Sequence, residues 1–158
     1  MRTWFVVAVG VGFLNPAYAG DMCFGREYSA AHLARHPHQL VMGMLVRIYD
    51  EPSFTPPMGW SMKVTRRGER NALLQSGMCR RLELGMKDDL HCFAECDAGE
   101  FDVKFEGRNS LLLKLPRDMS MRQDCGGEEN DSVLSPGVDD KVFRLERLPS
   151  GSCAGIER

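Results

Sequence analysis

Apolar and polar residues alternate with a period of two along much of the chain. Phe101, Val103 and Phe105 are apolar, with Asp102, Lys104 and Glu106 between them, the signature of a strand with one buried and one wet face. Leu111, Leu113 and Leu115 repeat the pattern with Ser110 and Lys114 outside, and Met119 and Met121 extend it beside Ser120 and Arg122; Leu112 alone breaks the alternation. Before this run, Leu90, Cys92, Ala94 and Cys96 form an inner row on even positions, and the turn Asp97-Ala98-Gly99-Glu100 changes the parity, as a hairpin can. Pairing Cys96 with Phe101, Ala94 with Val103 and Cys92 with Phe105 keeps the apolar side chains on one face. Pairing Phe105 with Leu111 and Val103 with Leu113 does the same for the next hairpin. A slip of one residue would bury Asp102 and Lys104, so the register is strongly specified.

The same reading covers the remaining segments. Ser29 is a good N-cap for a short helix through Ala30-Ala31-His32-Leu33-Ala34-Arg35-His36, which Pro37 stops. Leu40, Met42, Met44, Val46 and Ile48 make the apolar face of a strand, and Trp60, Met62 and Val64 that of the next, across a loop containing Pro52, Pro56 and Pro57. Residues 73–84 read as a third strand region interrupted at Ser76-Gly77. Placing Leu82 opposite Cys92 and Leu84 opposite Leu90 closes its hairpin with the following strand. Val133 to Val138, with Pro136-Gly137, reads as extended or turning. In Val142 to Leu148 the apolar residues do not share one parity, which predicts a bulge or an edge position. The fold class that results is mainly β: a small antiparallel barrel-like or sandwich meander of about eight strands with one short N-terminal helix.

Residues 1–19 stand apart. One early cation, Arg2, precedes the uncharged apolar run from Trp4 to Leu14, and Ala17-Tyr18-Ala19 is a small-x-small cleavage triplet, together predicting a signal peptide removed after Ala19. The run is short for a bilayer span, and no later stretch serves as a transmembrane anchor. Residues 20–158 then form a single domain in the periplasm or outside the cell. Loss of Arg2 takes the formal net charge from −2 to −3, which gives no reason to expect nucleic acid as a partner.

All six cysteines, Cys23, Cys79, Cys92, Cys96, Cys125 and Cys153, lie after the cleavage site, and an even number in an exported chain reads as three disulfides. Cys92 and Cys96 are not a CxxC pair. On one strand they would be about 13 Å apart, too far to bridge each other. The predicted hairpin registers favour Cys79–Cys96 and Cys92–Cys125, leaving Cys23–Cys153 to tie the termini.

Candidate chemistry is sparse. His32 and His36 are four apart on one helix face, with His38 close behind, a spacing able to hold Zn or Cu. Met42 and Met44 would add soft ligands for Cu(I). The plainer reading is a solvated helix end, with no cofactor. Met22, Met42, Met44, Met58, Met62, Met78, Met86, Met119 and Met121 suit flexible core filling. Glu95 and Asp97 form a possible carboxylate pair or simply a wet strand face. Asp88-Asp89, Glu128-Glu129-Asn130-Asp131 and Asp139-Asp140 are either solubilising turns or a rim that steers a cationic partner. No GxSxG elbow, HExxH helix or Gly-rich phosphate loop occurs, and oxidised cysteines leave no thiol nucleophile, so the expectation is no enzyme.

The segments YSAAHLARHPHQLV, CFAECDAGEF and DDKVFRLERLP resemble those of uncharacterised small exported bacterial proteins that are β-rich and contain cysteines. That resemblance implies an exported β-domain and brings no catalytic residues with it. A looser, architectural similarity is to bacterial lysozyme inhibitors, which are small exported disulfide-stapled barrels. The expected function is therefore a non-enzymatic domain binding another molecule, an unknown protein or small ligand. The alternatives are a periplasmic metal-binding protein using the His cluster, a hydrolase or lyase with a site assembled from dispersed residues, and an inhibitor of a cationic exported enzyme such as a lysozyme.

Overall fold

A computed structural model describes residues 20–54, 58–82, 89–121 and 133–156. The strands are β1 (Met22–Glu27), β2 (Val41–Asp50), β3 (Met58–Arg66), β4 (Leu73–Arg81), β5 (Leu90–Ala94), β6 (Glu100–Phe105), β7 (Ser110–Lys114), β8 (Met119–Ser120), β9 (Val133–Leu134) and β10 (Val142–Leu148), with one helix, α1 (Ala30–Arg35). Eight strands close into an antiparallel barrel in the order β1-β10-β7-β6-β5-β4-β3-β2, while β8 and β9 form a separate two-stranded ribbon. The mainly β class, the single short helix and the barrel are as the alternation predicts. The proposed signal peptide lies outside the described residues.

The alternating rows become the inside and outside of the barrel. Trp60, Met62, Val64, Phe101, Val103, Leu111, Leu113, Phe143 and Leu145 all point inward and are buried. The register of β6 on β7 is the predicted one, Phe105 opposite Leu111 and Val103 opposite Leu113. Ser29 caps α1, its hydroxyl accepting from His32 N at 3.2 Å.

Four expectations are corrected. β4 runs unbroken through Ser76 and Gly77, because Gly77 faces inward under Trp60, where no side chain fits. β5 ends at Ala94, and Glu95–Asp97 forms a 3-10 turn in which Cys96 and Asp97 take positive φ, 61° and 53°. The hairpin therefore pairs Cys92 with Phe101 rather than Phe105. β10 is neither bulged nor at an edge: it lies between β1 and β7 in unbroken register. Its mixed parity has another cause. Phe143 and Leu145 face the interior, while Leu148 packs outside with Leu45 on a second small core of Cys23, Cys153 and Ile156. In β2 the bulge between Val41 and Gly43 switches the parity. Val41 is buried, and Leu40, assigned to the inner row, is exposed.

Two disulfides are described. Cys23–Cys153 joins the terminal segments as expected, 130 residues apart in sequence. Cys79–Cys92 replaces the pairings Cys79–Cys96 and Cys92–Cys125. The cause is register, since β4 and β5 place Cys79 directly opposite Cys92 and Arg81 opposite Leu90. Leu82, assigned to that pairing, lies beyond β4 and is 38% exposed. Cys96 is also disulfide-bonded, and Cys125 lies outside the described residues. The bridges fit an oxidising environment of the kind exported proteins meet.

Antiparallel connectivity puts α1, the β3–β4 turn, the β5–β6 turn and the β8–β9 ribbon at one end of the barrel. The ribbon seals that end. Met119 and Leu134 join the core, Ser120 N donates to Ala98 O, Gln75 Nε2 donates to Ser120 O at 3.1 Å, and Arg66 Nη1 donates to Val133 O at 2.8 Å.

Candidate functional site

An eight-stranded barrel has an interior just wide enough to be filled by side chains or to hold one small ligand. Here Trp60, Phe24, Phe101 and Phe143 occupy it with Met44, Met62, Leu111 and Leu113, all under 3% exposed. Trp60 meets Phe101 edge to face at 4.7 Å, and its Nε1 donates to Phe93 O at 3.0 Å. This interior is a packed core, so the surfaces on offer to a ligand are the outer wall and the ends.

On the outer wall, the cross-strand registers line up rows of side chains. Arg80, His91, Asp102 and Lys114 make one row across β4, β5, β6 and β7. His91 Nδ1 donates to Asp102 Oδ1 at 2.7 Å, its Nε2 lies 3.5 Å from Glu100 Oε2, and Glu100 pairs with Arg117. His91 also meets the edge of Phe93 at 4.5 Å, and the Arg80 guanidinium stands 5.0 Å over the same ring. This cluster was not singled out from the sequence. Its signal was the parity of His91 and Asp102, both outward, but the shifted hairpin register hid that they are opposite each other.

The predicted metal ligands lie at the α1 end. His32 and His36 stack on each other at 4.4 Å, and Tyr28 packs on His32 at 4.8 Å. Gln39 Nε2 donates to Val41 O, so its Oε1 faces His32 Nε2 at 3.0 Å as an acceptor, and that ring nitrogen carries the proton. His36 Nδ1 lies 3.6 Å from Asp139 Oδ1, and His38 is exposed. Among the described residues no three His, Cys, Asp or Glu side chains converge as a metal site. Met44 is buried inside the barrel, while Met42 stays half-buried.

The acidic positions separate. Asp140, read as a rim acid, is buried at 3% exposure and accepts from Leu40 N at 2.6 Å and Val41 N at 3.3 Å. It thereby ties the strand leading into β10 to the start of β2. Burial pushes its carboxyl above the usual range, against the opposing pull of the two amides and Arg66. Burial also raises the Tyr28 hydroxyl, with Arg26 acting against it. Glu95 and Asp97 sit in the 3-10 turn, not on a strand face. Asp88 and the run Glu128 to Asp131 lie outside the described residues. Of the methionines, Met22, Met44, Met62, Met119 and Met121 are core and Met58 packs against it; Met86 lies outside the described residues.

No family model, curated protein or solved structure matches this chain. Chemically, the outer wall carries several ion pairs, His91 with Asp102, Arg117 with Glu100, Arg47 with Asp21 and Arg144 with Glu106, around a filled core.

Proposed function

We propose that the chain is an exported, non-enzymatic β-domain that binds another molecule with the outside of its barrel, in the periplasm or beyond the cell. The observation that carries this reading is the filled interior: Trp60, Phe24, Phe101 and Phe143 occupy the volume that a barrel with an internal ligand leaves open. The disulfides support residence in an oxidising compartment. No helix among the described residues is long and apolar enough to cross a membrane. The His91–Asp102 pair is oriented like a catalytic dyad, but it lies on a convex wall, where water is not excluded from a reacting group.

Photo-crosslinking groups placed at Phe93 and at Leu112 put one probe on each half of the outer wall. A discrete adduct from either position in living cells is the expected result. Absence of adducts from both, or turnover of the captured molecule, would overturn the reading.

A further inference from the structure

The outward positions of β2, β3, β4 and β5 are unlike those on the rest of the wall. Reading outward along them gives Gly43, Leu45, Arg47 and Tyr49, then Gly59, Ser61, Lys63 and Thr65, then Leu74, Ser76, Met78 and Arg80, then His91 and Phe93. Three are cationic and none is acidic. The other half has as many cations, Lys104 on β6, Lys114 on β7 and Arg144 on β10, but offsets them with four acids, Glu100 and Asp102 on β6, Glu146 on β10 and Glu27 on β1. Glu100 and Asp102, at the border, are already engaged by Arg117 and His91.

One cross-strand row organises the basic half. Tyr49 is opposite Gly59, Gly59 opposite Met78, and Met78 opposite Phe93. The Tyr49 ring lies over Gly59, where a Cβ would come within 2.6 Å of it. Ser61 and Ser76 are the small residues of the next row. The Tyr49 ring thus covers Gly59, and Gly59, Ser61 and Ser76 are buried, so the wall stays low between the Tyr49 ring and Phe93, which stand about two strand spacings, on the order of 10 Å, apart. A guanidinium attends each ring, Arg47 at 5.0 Å from Tyr49 and Arg80 at 5.0 Å from Phe93. Arg47 is held by Asp21 at 2.7 Å, so Lys63 and Arg80 supply the charge for a ligand.

We infer that this face is a docking surface for an anionic polysaccharide chain laid across the strands from Tyr49 to Phe93. The inference rests on the binding role proposed above. Aromatic faces carry negative quadrupole charge and attract the C–H faces of sugar rings. Lys63 and Arg80 meet the carboxylate or phosphate groups, and the bordering carboxylates are engaged elsewhere, Asp21 by Arg47, Asp102 by His91 and Glu100 by Arg117, which leaves these two cations to complement an anion. An acidic peptide is the poorer fit. The closed barrel offers no free strand edge for main-chain pairing, and the Gly59–Ser61–Ser76 floor offers no deep pocket for an anchoring side chain.

The test is calorimetric titration of the mature chain with polygalacturonate, a phosphate-bearing teichoic acid, neutral dextran and poly-glutamate of similar length. Binding of one or both anionic glycans, weakened by salt, is expected, and the glycan that binds identifies carboxylate or phosphate as the recognised group. Lys63→Glu with Arg80→Glu should weaken binding at least about tenfold. Lys104→Glu on the other half should change it less than about twofold. Phe93→Ala, with an unchanged melting temperature, should weaken it without altering the salt dependence. Equal binding of poly-glutamate, equal binding of dextran, equal loss in Lys104→Glu, or no binding of either anionic glycan would overturn the assignment. Adducts formed from Leu112 alone, with no glycan bound, would leave the general binding role standing while this surface falls.

Discussion

Trp60 and Gly77 face each other across β3 and β4, and the indole crosses the space above Gly77 to reach the carbonyl of Phe93. A Cβ at position 77 would lie 2.0 Å from that carbonyl oxygen and 3.0 Å from the indole nitrogen. The glycine is therefore a spacing requirement rather than a break in the strand.

Gly77→Ala should destabilise the fold by about 3 kcal/mol, since backbone and a buried ring must both give way. Trp60→Phe should cost about 1–3 kcal/mol through the lost indole bond. Urea unfolding of the two variants measures both. A neutral Gly77→Ala would mean that the β4–β5 register is wrong.

The two β6 phenylalanines should differ. Phe101 is fully buried against Trp60 and should cost about 3–5 kcal/mol as alanine. Phe105 is half-buried near the strand end, edge-on to Phe24 at 5.9 Å, and its truncation should cost about 1–2 kcal/mol, below the fully buried range. Paired melts report the order, and the reverse order would place β6 the wrong way along the barrel.

Where alternation was strict, the sequence was legible. Phe101 to Phe105 and Trp60 to Val64 each have one apolar and one polar face, and Leu111 to Leu115 departs from this only at Leu112, so inside, outside and the β6–β7 register followed. Three things defeated the reading elsewhere. An inward Gly77 has no side chain to report its parity. Leu148 and Leu45 are apolar because the C-terminal segment covers the outer wall there, not because they face the core. Cys96 leaves the strand after Ala94 by positive φ, which period-two patterning does not encode. The His91–Asp102 pair depended on that same turn, whereas the stacking of His32 on His36 followed directly from four-residue helix spacing.

Asp140 should carry a pH signature. Its folded-state carboxyl titrates above the ordinary value of 3.8, chiefly through burial. Its contribution to stability is therefore full below the unfolded value and is lost as pH rises through the folded one. Asp140→Asn cannot titrate, so the stability difference between wild type and variant should shift against wild type as pH rises from about 3.8. Asp140→Ala should cost about 2–4 kcal/mol by stranding the Leu40 and Val41 amides. Chemical denaturation from pH 3 to 6 compares the three proteins. A pH-independent difference between wild type and Asp140→Asn would show that the carboxyl is not desolvated.

The disulfides give the sharpest test. Trypsin leaves Cys92 and Cys96 together in the peptide 88–104, so a second cleavage after Glu95 is needed to separate them. Under non-reducing conditions the Cys92 fragment should then travel with the Cys79 peptide, and Cys23 with Cys153. Cys125 is the one cysteine left for Cys96 in the count of six. The two described bridges should also differ in effect. Cys23–Cys153 closes a loop of 130 residues and Cys79–Cys92 one of 13, so chain entropy assigns them about 5 and about 3 kcal/mol. Replacing each pair with alanine and comparing unfolding free energies checks the order. Cys79 and Cys92 lie in the core, so part of their loss is packing rather than entropy, and a smaller difference between the pairs than the loop lengths imply would measure that part. Recovery of Cys79 linked to Cys96 would instead restore the longer hairpin, move Leu82 inward and dissolve the row that brings His91 opposite Asp102.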